Sequence, residues 1–194
     1  MKRITLVTFF LVIWGQIYAG AATLNVDPVH TGVFFQVKHV YSTVRGQFDD
    51  FSANIVFDPD NLEKSKIDFV VKVDSINTQN GKRDTHLRSD AFFLSNKYPT
   101  MTFTSSRIIH AYKNQYIIEG KMTIKDVSKQ MAMVMVYSGQ KENPLKPTEM
   151  VAGFDIAFSL DRLDFHVGDG KFYNMGAVGK DIDILVSIEA GKNK

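Results

Sequence analysis

Apolar and polar side chains alternate with a period of two through most of the sequence after residue 30, and this pattern restricts the possible folds more than any other feature. It is clearest in residues 154–161 and 181–189, where every second position is apolar. Successive side chains of a β-strand point to opposite faces, so the pattern predicts strands with one buried and one wet face. No long helical pattern separates these strands, as parallel βαβ units would require. The sequence therefore predicts an all-β, antiparallel protein.

About eight such segments follow one another, many of them near ten residues long. Short turn-like links, such as residues 58–61 and 125–126, favour antiparallel neighbours. Eight one-sided strands can close into an up-and-down barrel, which removes its own edges, or pair as a sandwich. We favour an eight-stranded antiparallel up-and-down β-barrel with a short helical or loop insertion near residues 82–96. A second irregular segment, residues 163–180, resembles the long loops that often form lids or mouths.

The amino terminus has the layout of a secretory signal. Lys2 and Arg3 precede an apolar run over residues 4–14, and Ala19-Gly20-Ala21 has the small-x-small spacing of a cleavage site. We expect residues 1–21 to be a cleaved signal peptide and residues 22–194 to form a single domain. The apolar run is shorter than the span of about 20 residues that crosses a bilayer, so we expect no stable membrane anchor.

Charge and cysteine content exclude several classes of protein. The chain has 23 basic and 21 acidic residues, and two of the basic ones belong to the predicted signal, so the rest is formally neutral. Such a chain lacks the basic stripe that nucleic acid binding requires, and we expect no nucleic-acid partner. The absence of cysteine excludes thiol catalysis, zinc-thiolate sites, disulfides and a lipidated cysteine.

The inward face predicted for the barrel is rich in methionine and phenylalanine. An eight-stranded barrel is just wide enough to be filled by side chains or to hold one small elongated ligand. Composition leaves both alternatives open, because methionine fills irregular gaps in any core. If the barrel is hollow, we expect its tunnel to be lined by Phe35, Val37, Phe51, Phe69, Val71, Met101, Phe103, Met122, Met133, Met135, Phe154, Ile156 and Phe158.

Residues 82–90 are the densest polar cluster of the chain. An exposed loop of mixed charge is often only solvated or self-paired. The functional alternative is a polar collar at the mouth of the barrel that binds an anionic or carbonyl head group through charge-assisted hydrogen bonds. The candidate head-group residues are His30, His39, Arg83, Asp84, His86, Arg88 and His166.

Specific catalytic and metal-binding motifs are absent from the sequence. His30, His39 and His86 have no metal-ligand spacing, so we predict no metal site. No Gly-x-Ser-x-Gly motif or phosphate-binding loop is present. We therefore predict neither catalytic residues nor a cofactor.

Several blocks together resemble the YceI-like family of periplasmic proteins. The resemblance spans nearly the whole chain after the signal, and it is carried by residues 27–33, 37–39, 43–48, Thr78, 83–87, 92–93, 98–99, Phe103, 105–106, 120–123 and 162–165. It implies a lipocalin-like barrel in the periplasm whose hydrophobic tunnel holds an isoprenoid or another long-chain amphiphile, such as a polyprenyl or quinone-type lipid. It carries no catalytic residues. The family pattern usually has glycine where this chain has His166, so ligand choice is expected to differ if the following loop borders the mouth.

Three hypotheses follow, and the leading one is a periplasmic binding or carrier protein for a long-chain lipid. The second is an enzyme acting on a lipidic substrate, with His39 or His86 as the base. The third is a stress-related structural or interaction barrel, with its contact on the outer face around Val134 and Val136. We expect the protein to be a monomer or a homodimer.

Overall fold

The computed structural model describes residues 23–194, so the predicted signal peptide lies outside the described residues. Its main elements are eleven strands and two short α-helices. In chain order they are β1 (Thr23–Val26), β2 (Gly32–His39), β3 (Ser42–Phe48), β4 (Phe51–Val56), β5 (Lys66–Lys72), β6 (Ile76–Asn77), α1 (Gly81–Arg88), β7 (Thr100–Tyr112), β8 (Gln115–Ile124), β9 (Val127–Glu142), β10 (Glu149–Asp161), α2 (Lys171–Asn174) and β11 (Val178–Asn193).

The strands form a closed antiparallel barrel. Pairing runs in the order β1-β4-β5-β7-β8-β9-β10-β11, and β11 pairs again with β1 to complete a ring of eight. Strands β2, β3 and β6 lengthen the wall toward one end of the barrel. Strand β2 pairs with β11 and so continues the run of β1, β3 pairs with β2 and continues the run of β4, and β6 pairs with β3 and continues the run of β5. If β1 with β2, β3 with β4, and β5 with β6 are each counted as one run of the wall, every run lies beside its neighbour in sequence. Every pairing is antiparallel, which confirms the predicted up-and-down barrel.

The helical insertion fills a gap in the wall. Among the described strands β6 pairs only with β3, while β7 begins at Thr100, opposite Lys72 of β5. Helix α1 and the turns of residues 89–99 connect β6 to β7 across this gap. Asn80 is the N-cap of α1, and its side-chain oxygen accepts a hydrogen bond from the Arg83 backbone N–H at 3.1 Å. The predicted insertion is thereby confirmed.

One half of the barrel is solid. Four rings, Phe57, Tyr116, Tyr137 and Phe154, form a cluster that we call the aromatic plug. The Phe57 ring centroid lies 5.1 Å from that of Tyr116, 5.0 Å from that of Tyr137 and 5.3 Å from that of Phe154. Burial raises the pKa of the Tyr137 phenol. The fully buried side chains around the plug include Ile55, Ile67, Ile118 and Met135.

No helix within residues 23–194 has both the length and the apolar character needed to span a bilayer.

Truncation of the plug should destabilise the fold strongly. Phe154 is 1% exposed, and Phe154→Ala should lower the free energy of unfolding by about 3–5 kcal/mol, because it removes buried ring area and leaves a void. Urea denaturation followed by circular dichroism measures this. The matched control is Tyr41→Ala, since Tyr41 is fully exposed, and its effect should stay within about 0.5 kcal/mol. Equal effects of the two variants would contradict a solid plug.

Candidate functional site

The other half of the barrel is hollow. It encloses a cavity of about 630 Å³, which lies within the range of roughly 300–1,000 Å³ that is usual for small-molecule sites. The wall comes from the strand ends nearest α1, from β2 and β3, and from the two irregular segments. The strand residues that line it are Val33, Phe34, Phe35, Val37, His39, Val44, Phe48, Phe69, Val71, Ile76, Met101, Thr102, Phe103, Met122, Ile124, Met133, Ile156, Phe158, Leu160, Val178, Ile182, Ile184 and Val186.

Most of the predicted lining residues lie on this wall. They are Phe35, Val37, Phe69, Val71, Met101, Phe103, Met122, Met133, Ile156 and Phe158. The structure places the other three elsewhere. Met135 and Phe154 are fully buried in the solid half, and Phe51 packs against the core without reaching the cavity.

Two glycines let aromatic rings lie flat against the wall. A Cβ atom at Gly46 would lie 2.5 Å from the Phe35 ring. A Cβ atom at Gly120 would lie 2.6 Å from the Phe103 ring and 2.4 Å from the Thr104 carbonyl oxygen. Any larger residue at these positions would push a ring into the cavity or distort the sheet.

Aromatic residues from the irregular segments cover the mouth. The Phe92 and Phe172 rings stack at 5.9 Å, and the edge of His86 meets Phe92 at 5.1 Å. Further side chains of these segments on the wall are Leu87, Phe93, Phe165, Val167 and Met175. Apart from His86, the sequence does not predict these side chains as lining residues, because the two segments have no strand periodicity.

A buried polar network fixes α1 at the mouth. Asp84 is 7% exposed, and its Oδ1 accepts hydrogen bonds from the backbone N–H of Thr78, at 3.0 Å, and from the Thr78 hydroxyl. Arg83 donates from Nε to Thr78 Oγ1 and from Nη2 to the Thr78 carbonyl oxygen, both at 2.7 Å. Asp84 is therefore occupied inside the protein, while Arg83 lies on the cavity wall.

Arg162 is the most deeply buried cation of the wall. It begins the short 3₁₀ turn Arg162–Phe165 and is 5% exposed. Its Nε donates to the Gly179 carbonyl oxygen at 2.9 Å and its Nη1 donates to the Val167 carbonyl oxygen at 2.6 Å. Its Nη2 is buried and has no hydrogen-bond partner within residues 23–194, a state that costs about 1–3 kcal/mol. Burial lowers the pKa of the guanidinium, and Asp161 and Asp169 oppose that shift.

The two mouth segments are joined through Lys125 and His166. Lys125 Nζ donates to the Phe92 carbonyl oxygen at 2.7 Å and to the His166 carbonyl oxygen. Burial lowers the pKa of this amine. His166 has a φ of 55°, in the left-handed region that favours glycine, and its Nδ1 lies 3.1 Å from Asp126. His166 therefore has a strained backbone conformation beside the mouth.

The structure brings together only some of the predicted head-group residues. His39, Arg83 and His86 line the cavity. Asp84 is buried and His166 is exposed to solvent, and neither lines the cavity. Arg88 does not line it either and donates to the Asp74 carbonyl oxygen. His30 lies beside Asp27 and Glu189, away from the wall. Within residues 23–194, neither His39 nor His86 has a carboxylate within ion-pair distance, so the geometry provides no orienting acid for either one as a base.

Comparison with known proteins assigns the domain. Residues 24–190 match the YceI-like domain. The protein YceI of Shigella flexneri is 29% identical over 198 residues, covering 100% of both chains. BcnA of Burkholderia cenocepacia superimposes with a TM-score of 0.78 at 24% identity, over 86% of this chain and 99% of that one. A polyisoprenoid binding domain from Saccharophagus degradans superimposes with a TM-score of 0.65 at 13% identity, over 88% and 98% of the two chains.

The hydrogen bonds between Thr78 and Asp84 should stabilise the fold around the mouth. Asp84→Ala leaves two buried donors of Thr78 without an acceptor, so the free energy of unfolding should fall by about 1–3 kcal/mol. Urea denaturation measures this. Asp84→Asn, which keeps an acceptor oxygen, should recover part of the loss, and Asp90→Ala at an exposed site of the same segment should be nearly neutral. If Asp84→Ala proves as mild as Asp90→Ala, the network does not hold α1.

Proposed function

The chain belongs to the YceI-like domain family, and from that premise we propose that it binds an isoprenoid-type or other long-chain amphiphilic lipid and carries it through the periplasm. The cavity is the observation that carries this proposal. At one end it stops at Met133 and Ile156, next to the solid half that holds the aromatic plug, and residues of α1 and α2 line its other end. Its wall is almost entirely apolar. Such a shape fits a flexible hydrocarbon chain with its head near the mouth.

The energetics favour a chain over a compact polar ligand. Each methylene moved from water into an apolar site contributes about 0.8 kcal/mol, whereas a polar group that finds no partner there costs about 1–3 kcal/mol. A long chain therefore gains with every carbon that enters. The polyisoprenoid binding domain of Saccharophagus degradans has a similar fold, which supports an isoprenoid-type chain as one candidate.

The amino-terminal segment supports the proposal that the protein acts in the periplasm. A basic start, an apolar run and Ala19-Gly20-Ala21 are features of an exported precursor. Sequencing the amino terminus of protein recovered from a periplasmic extract tests this. Ala22 is expected as the first residue, and protein that keeps Met1 and stays in the cytoplasm would overturn the proposed location.

A series of primary alcohols of increasing length tests the binding function. Displacement of a neutral apolar fluorophore, N-phenyl-1-naphthylamine, reports affinity without involving head-group charge. We expect affinity to rise about fourfold per methylene and then to level off once the chain fills the space between the mouth and the plug. Affinity that does not depend on chain length, or no binding at any length, would refute the proposal.

A matched pair of variants tests whether the ligand binds inside the barrel. Met133 lines the cavity and is 4% exposed, whereas its neighbour Val134 points outward and is 47% exposed. Met133→Trp should fill part of the cavity and shorten the longest alcohol that binds. Val134→Trp adds an indole to the same strand but should leave the series unchanged.

A further inference from the structure

The charged groups on the cavity wall all have the same sign. Among its lining residues, Lys82, Arg83 and Arg162 carry permanent positive charge, and no aspartate or glutamate is present. The other polar residues of the wall are His39, Thr78, His86 and Thr102. All three cations lie at the mouth, on α1 and on the 3₁₀ turn Arg162–Phe165.

The acidic residues next to these cations in sequence make their hydrogen bonds with other groups, although Asp161 and Asp169 still act on the charge of Arg162 at longer range. Asp84 accepts from Thr78, and Asp161 pairs with Lys180 at 2.8 Å. Asp164 pairs with Lys129 at 2.6 Å, and Asp169 accepts from the Lys171 backbone N–H at 2.9 Å. Within residues 23–194, the cations at the mouth are therefore not neutralised by a carboxylate at hydrogen-bond distance.

Donor capacity remains on the same three residues. Lys82 is exposed and makes no hydrogen bond or ion pair within the described part of the chain. Arg83 uses Nε and Nη2 on Thr78, which leaves Nη1. Arg162 is 5% exposed, and its Nη2 has no hydrogen-bond partner among the residues that the structure describes. The centroid of the Phe92 ring lies 5.8 Å from the guanidinium carbon. A buried guanidinium with an unused edge is suited to carboxylate or phosphate oxygens.

We propose that the cavity selects long-chain amphiphiles with an anionic head group, a carboxylate or a phosphate, and that Arg162 is the main specificity-determining residue. This inference rests on the proposed function and adds the class of head group. The chain lies along the apolar wall toward the plug, and the head stays among Lys82, Arg83 and Arg162. Small shifts of the Phe92 and Phe172 rings give the head access to Nη2.

Ligands that share one chain test the proposal on the unmodified protein. Dodecanoate, dodecyl phosphate, dodecanol and methyl dodecanoate are compared by displacement of N-phenyl-1-naphthylamine. Both anions should bind about 10- to 100-fold more tightly than the two neutral ligands, and inorganic phosphate should not compete at millimolar concentration. Equal affinities for all four would overturn the head-group inference while leaving lipid binding intact. No binding of any of them would overturn the proposed function itself, and competition by inorganic phosphate would show an anion site that needs no chain.

Variants then test whether Arg162 determines the preference for an anionic head group. Arg162→Gln should bring the ratio of dodecanoate to dodecanol affinity close to one, and Arg162→Lys should restore part of it. Because Arg162 also holds two backbone carbonyl groups, dodecanol binding reports whether the variant cavity is still folded. Lys82→Gln, at an exposed site, should lower the ratio about two- to fivefold. The control Lys141→Gln removes one charge from an exposed part of β9 outside the wall and should not change the ratio. An undiminished ratio in Arg162→Gln would contradict its assigned role.

Discussion

Pairing of β1 with β11 closes the sheet into a ring of eight strands, and the other features of the structure are built inside or against that ring. The inward face of each strand is determined by its register, and helix α1 fills the gap that remains between β6 and β7. The interior then has a width set by strand number, and side-chain volume decides how much of it is filled. Large rings meet in one half and fill it, whereas the other half stays hollow because the residues on its wall do not reach across.

Alternation in the sequence predicts the inward face but carries no information about position along the barrel axis. Phe154 and Phe158 belong to the same face of β10, yet Phe154 is part of the plug and Phe158 lines the cavity. Which half a residue occupies depends on the stagger between strands that are distant in sequence. For this reason the alternation predicts Met135 and Phe154 as lining residues just as it predicts Phe158, although both lie in the solid half.

The mouth is harder to predict because tertiary contacts determine it. The cluster of residues 82–90 is recognisable as polar, but its division into an occupied acid, Asp84, and a wall cation, Arg83, depends on Thr78. Arg162 belongs to a block that resembles the family, yet nothing local shows that its side chain is buried with an unused nitrogen. The stacking of Phe92 on Phe172 joins two segments that are 80 positions apart. The protein is thus a half-hollow barrel with three cations, Lys82, Arg83 and Arg162, on the wall near its mouth.

Native mass spectrometry of the protein isolated from a periplasmic extract without detergent shows directly whether the barrel holds a lipid in its hollow half. We expect a mass above that of the chain beginning at Ala22, and mild collisional activation should release one lipid-sized species. Met133→Trp should shift the released species toward shorter chains. Protein that always has the mass of the free chain, and that gains no mass when long-chain lipids are added, would mean that the barrel does not hold a lipid.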